Sequence, residues 1–90
     1  MAEDTPQAAE EQIGTITHFF SKISVGIIEL TAPLRVGETI HIKGHTTDLV
    51  QQVTSMQVEH EQVQEAKAGD AVGIKVDGHV REGDAVSRVA

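Results

Sequence analysis

Ala66-Lys67-Ala68-Gly69-Asp70-Ala71-Val72-Gly73-Ile74-Lys75-Val76-Asp77-Gly78 is the stretch that decides the fold. Ala-Lys-Ala-Gly-Asp is a turn by composition, because Gly supplies free backbone and Asp bonds locally. After it, Val72, Ile74 and Val76 share one parity, while Gly73, Lys75 and Asp77 share the other. A period of two is a strand with one buried face.

Working outward, the same grammar repeats. Thr39 to Lys43 puts Ile40 and Ile42 on one face and Thr39, His41 and Lys43 on the other. Ile13 to Phe20 and Ile23 to Leu30 read as strands one and two, with Ser21-Lys22 between them. Both parities of strand one carry large apolar groups. Gly26 inside strand two suggests a bulge or a close backbone approach. Thr31 to Glu38 is a connection in which Pro33 withholds a ladder donor and Gly37 supplies a turn. Gly44-His45-Thr46-Thr47-Asp48 is a further turn.

Strand four is expected to run from Leu49 to His60 as one long element. Its inward parity slips between Val53 and Met56, which a β-bulge would restore. Gly78 to Gly83 turns the chain into a last strand, Asp84 to Val89. Six strands at a spacing of roughly ten residues predict an all-β sandwich or barrel. Closure removes exposed edges, which favours a small closed six-stranded barrel of Greek-key type over residues 13–90. Residues 1–12 are acidic, lack a large apolar residue after Met1, and read as a disordered tail.

The 90 residues make one small domain. There is no Cys, Trp or Tyr, so the core must be aliphatic and no thiolate can hold a metal. The 14 acidic and 7 basic residues give a net charge of −7. Phosphate binding needs positive charge, so the balance argues against DNA and against sequence-independent RNA binding. No run is long and apolar enough to suggest a membrane span, and no secretory signal is visible. A cytoplasmic protein is expected.

Candidate chemistry is sparse. His18, His41, His45, His60 and His79 invite a metal site, but zinc needs three or four convergent ligands. No metal and no cofactor are expected. Glu59/Glu61 and Glu82/Asp84 flank turns and strand ends, where water keeps acids ordinary, so no catalytic residues are assigned. Ser21, Ser24, Ser55, Thr46 and Thr47 have no nucleophile-elbow context. Gly37, Gly69, Asp70 and Gly83 are read as structural turn residues.

Met56 to Gly78 resembles, without a gap, the segment of elongation factor Tu domain two that runs from a Val-Glu-Met strand through an Ala-Gly-acid turn into a Val-Gly strand. Gly14-Thr15-Ile16, Leu34 to Ile40 and Arg81-Glu82-Gly83-Asp84 extend the likeness. Val25 to Leu30 and Gly44 to Asp48 are similar to the small C-terminal barrel of collagenase-like peptidase-family proteins and to short elongation-factor-like proteins. The resemblance implies a translation-factor domain-two barrel that acts as a non-catalytic binding module in translation or RNA modification. No Gly-x-x-x-x-Gly-Lys-Ser/Thr loop is present, so GTP binding by that loop is not expected.

In elongation factor Tu this barrel helps hold the aminoacyl end of tRNA. It uses an Arg before the strand-one Gly and an Asn after the turn. Those positions are Ile13 and Ala71 here, so the likeness does not carry that pocket over. Thr15, Thr17, His18, His60, Ala71 and Lys75 lie near the family pocket and are the candidate contacts. A protein partner is the leading expectation, with a ribonucleoprotein as a variant of it. The alternative is direct binding of a tRNA end or small ligand by Lys43, Lys67, Lys75, Arg81 and Arg88.

Overall fold

The chain is described by a computed structural model over residues 10–89, and it contains strands and turns with no helix among them. The strands are β1 (Glu10–Phe20), β2 (Val25–Leu30), β3 (Leu34–Arg35), β4 (Thr39–Lys43), β5 (Asp48–Gln52), β6 (Met56–Val58), β7 (Glu61–Val63), β8 (Glu65–Ala66), β9 (Ala71–Lys75) and β10 (Ala85–Val89). Eight form one sheet in the order β5-β4-β10-β1-β2-β9-β6-β7, and β3 pairs with β8. Every pairing is antiparallel.

The all-β expectation holds, but the six-strand count and the closed ladder do not. The sheet has two ends, β5 and β7, with no ladder between them. The single long strand expected over 49–60 is two strands, β5 and β6, broken at Val53–Ser55. The apparent slip in parity is that break. At Val53 the backbone leaves the β4 ladder: its N–H donates to the Glu38 carbonyl and its carbonyl accepts from Gly37 N–H, both at 2.8 Å. This lets Val53 and Met56 both enter the core. The tail boundary also moves. Glu10, Glu11 and Gln12 pair with Val89, Arg88 and Ser87 and belong to β1. Residues 1–9 of the expected tail lie outside the described residues.

The bulges sit in β1. Its register on β10 skips Ile13, and its register on β2 skips Thr17. Each extra residue flips the parity, so Ile13 and Ile16 are both buried although they differ in parity. Two-sided apolar patterning on strand one therefore reports bulges. Ile28 and Leu30 of β2, Ile40 and Ile42 of β4, Val72 and Ile74 of β9, and Val86 of β10 join them in the core. The faces expected for strands three and five are the buried ones.

Three turns repeat one design. In Arg35-Val36-Gly37-Glu38, Lys67-Ala68-Gly69-Asp70 and Arg81-Glu82-Gly83-Asp84, the acid's backbone N–H donates to the carbonyl of the first residue at 3.3, 3.0 and 3.1 Å. The acid's side chain accepts the N–H of that same first residue at 2.9, 3.0 and 2.9 Å. The glycines have φ of +100°, +96° and +92°. A basic-x-Gly-acid tetrapeptide thus satisfies its own polar groups while reversing the chain.

Candidate functional site

The outer face of β1, β2, β9 and β6 is set by their shared register. Thr15 lies beside Glu29, and Glu29 beside Ala71. His18 lies beside Ile27, then Gly73, then Gln57. Phe20 lies beside Val25, then Lys75. Each row crosses adjacent strands, and the alternate residues of β2 and β9 (Ile28, Leu30, Val72, Ile74) point into the core.

An open groove of about 270 Å3 runs along these rows. It is lined by Phe20, Ile23, Val25, Ile27, Ala71 and Gly73, with Gln57, Glu59 and His60 on one side. Gly73 keeps its middle shallow-walled, since a Cβ there would come within 3.3 Å of Ile27 Cδ1 and 3.4 Å of Val25 Cγ1. Phe20 is 48% exposed and Ile23 61% exposed, so the apolar floor is open to water. His18 stacks on Phe20, with ring centroids 6.3 Å apart and planes 24° apart.

The backbone around the groove is unusual. The non-glycine residues with left-handed φ among those described are Ser24 (55°), Glu59 (52°) and His60 (68°). Ser24 lies between Ile23 and Val25, and Glu59 and His60 form the β6–β7 turn. Positive φ at both central residues of a two-residue hairpin favours Asn-Gly, not Glu-His. The local sequence therefore accepts strain where the groove is built.

The candidate contacts named from sequence fall on or beside this face. His60 and Ala71 line the groove. Thr15, His18 and Lys75 occupy its rows. Thr17 is the residue that the β1–β2 register skips, and its hydroxyl donates to the Ile27 carbonyl at 3.3 Å. Ile13, the position of the elongation-factor Arg, is fully buried. Sequence reasoning missed Phe20, Ile23, Val25, Ile27, Gln57 and Glu59 as site residues. The available signal was that strand two is apolar on both parities although only one can face the core.

The five basic residues of the alternative are spread over β4, the 67–70 turn, β9, the 81–84 turn and β10. Arg88 is engaged: Nη2 donates to Glu11 Oε1 at 2.8 Å and Nη1 to the Pro33 carbonyl at 2.7 Å, with Glu38 at 3.3 Å. The hydrogen bond to Glu11, ahead of the field of Glu38, raises the Arg88 pKa, with partial burial opposing. Among the described residues, no three His, Asp or Glu side chains gather where a metal could bind. None of those residues forms a helix long and apolar enough to cross a membrane.

No family model matches the chain. It is 47% identical over 76 residues to an uncharacterised protease of Methanocaldococcus jannaschii, covering 83% of this chain and 19% of that protein. The chain thus spans about a fifth of that relative's length. Its fold is similar to the C-terminal domain of a Geobacillus thermoleovorans protein named as a U32 peptidase. The TM-score is 0.83 at 13% identity, over 99% of this chain and 100% of that one. The selenomethionine variant of that domain gives 0.80 at 14% identity, over 84% and 96% of the two chains. GDP-bound aIF5B of Aeropyrum pernix matches with a TM-score of 0.61 at 18% identity, over 90% of this chain and 14% of the factor. The double likeness expected from the sequence, to a peptidase-family C-terminal domain and to a translation-factor domain, is therefore present in the fold.

Proposed function

We propose that the chain is a non-catalytic binding module whose outer β1–β2–β9–β6 face contacts a protein, alone or within a ribonucleoprotein, in translation or RNA modification. The observation that carries this is the apolar groove floored by Phe20, Ile23, Val25 and Ile27 on a face that a soluble sheet would normally keep polar. Likeness to a translation-factor domain supports the setting, as a likeness of fold. The carboxylates support the non-catalytic part. Asp84 is committed to the Arg81 N–H, and Glu59 and Glu61 are open to solvent. A protein is favoured over a bare tRNA end because the groove lining holds no Lys or Arg.

The test is a photo-cross-linking amino acid at position 20, with one at the exposed Val50 on β5 as control, in cells of the source organism. Support is an identified translation or RNA-modification protein cross-linked from position 20 and not from position 50. Cross-linking to tRNA from position 20 would install the alternative, and identical products from both positions would remove the groove as the contact.

A further inference from the structure

We infer that the groove takes one bulky apolar side chain presented on a basic segment of the partner protein. This rests on the binding-module reading above and names the chemistry of its partner. Size is the first argument. At about 270 Å3 and open on one side, the groove falls below the roughly 300–1,000 Å3 of sites that enclose small molecules and cofactors. It suits a single anchor side chain, the usual centre of a protein interface. Phe20, Ile23, Val25 and Ile27 supply the apolar surface for it.

Charge is the second argument. Glu59 lines the groove, and Glu29 lies beside Ala71 on the same face. Lys75 stands at the far end of the row from Phe20. The whole chain carries −7. Complementary charge speeds encounter and rejects wrong partners. A segment with Lys or Arg flanking a large apolar residue matches both the floor and the margin. Other occupants match less well. Residues 1–9 of this chain carry Glu3 and Asp4 and no large apolar group after Met1. A second copy brings another −7, and a nucleic acid brings phosphates to an acidic margin.

The β6–β7 hairpin turn bears on the same margin. Glu59 and His60 hold left-handed backbone at φ of 52° and 68°, where Asn-Gly would be relaxed. The strained geometry sets both side chains against the groove.

The experiment titrates the 15N-labelled chain with three peptides and one oligonucleotide. The peptides are a Leu-Phe pair flanked by lysines, the same pair flanked by glutamates, and a Ser-Ser pair flanked by lysines. The oligonucleotide is a single-stranded oligoribonucleotide. The expected result is saturable shifts at the amides of Phe20, Ile27, Ala71 and Gly73 with the first peptide. The glutamate and Ser-Ser peptides should bind about tenfold more weakly or less. Glu59→Lys should weaken the first peptide roughly two- to fivefold, with an unchanged melting temperature showing an intact fold. The inference is overturned by groove amides unmoved at millimolar first peptide, by equal response to the glutamate peptide, by preference for the oligoribonucleotide, or by dimerisation through this face in light scattering. Cross-linking from position 20 to a translation protein without a basic, apolar segment would also overturn it while leaving the binding module in place.

Discussion

The side chain of Gln51 bonds to the backbone of Asp77 as a neighbouring strand would. Gln51 Oε1 accepts the Asp77 N–H at 2.7 Å, and Gln51 Nε2 donates to the Lys75 carbonyl at 2.8 Å. β5 is an end of the sheet and β9 lies on its far side, so one amide spans a seam that no ladder closes. Gln51 is only 8% exposed, in keeping with a polar group that must find its partners inside the protein.

Gln51→Leu should therefore destabilise the fold by about 1–3 kcal/mol, because it strips partners from the Lys75 carbonyl and the Asp77 N–H while keeping side-chain bulk. Urea unfolding measures the loss. Amide exchange at Asp77 should quicken well before global unfolding, whereas protection there equal to wild type would show that the seam does not depend on this amide.

The turn glycines predict a different signature. A Cβ at Gly69 or Gly83 would meet nothing within 4 Å, so only the φ of +96° or +92° resists a side chain. Gly69→Ala should cost about 1–2 kcal/mol, and Gly69→Asn less, since Asn tolerates left-handed backbone better. Gly14→Ala should cost more than Gly69→Ala, because its Cβ would lie 2.7 Å from both the Glu29 carbonyl oxygen and Ile28 Cγ2. Thermal melts of the three variants, ranked in that order, check the assignment, and a Gly69→Ala chain as stable as wild type would refute it.

The regular alternation of Ile40/Ile42 and Val72/Ile74 was legible because each strand has one dry face and one wet one. The basic-x-Gly-acid turns were legible because their chemistry is local. What was not legible depends on strands remote in sequence. Nothing near Gln51 marks it as the partner of a strand that lies 24 to 26 residues on. The break at Val53 reflects bonds to Gly37 and Glu38 and looked like a bulge in a longer strand. The groove was half legible. His60 and Ala71 follow from a family likeness, while the apolar floor on β2 carries no local mark that tells its outer Val25 and Ile27 from its inner Ile28 and Leu30.

Arg88 ties β10 to β1 through Glu11 and to the first turn through Glu38. Its pKa is raised, chiefly by the Glu11 hydrogen bond. A raised pKa contributes stability that is present below the unfolded value and fades only as pH climbs through the folded one. For Arg88 the ordinary value already lies far above neutrality and the folded one lies higher still, so this contribution should be flat from pH 6 to 10. Arg88→Met should lower stability by about 1 kcal/mol in dilute buffer, with a smaller difference in 1 M NaCl. Denaturation at two salt concentrations checks this, and a salt-independent loss would assign the effect to the Pro33 carbonyl bond instead.

Gly44 and Asp84 make the most specific packing prediction. Asp84 is 5% exposed, and its Oδ2 accepts the Arg81 N–H at 2.9 Å. A Cβ on Gly44 would fall on the Asp84 carboxylate, overlapping Oδ1. The glycine has no positive φ, so alanine there is opposed by that carboxylate alone. Gly44→Ala should cost about 1–3 kcal/mol by forcing Asp84 away from the turn it closes. Asp84→Ala should cost about 1 kcal/mol or more through the orphaned Arg81 N–H. In the double variant the added methyl has room, so the losses should fall short of their sum by about 0.5–3 kcal/mol. Additive losses in urea unfolding would mean that Gly44 is required by something other than the carboxylate folded over it.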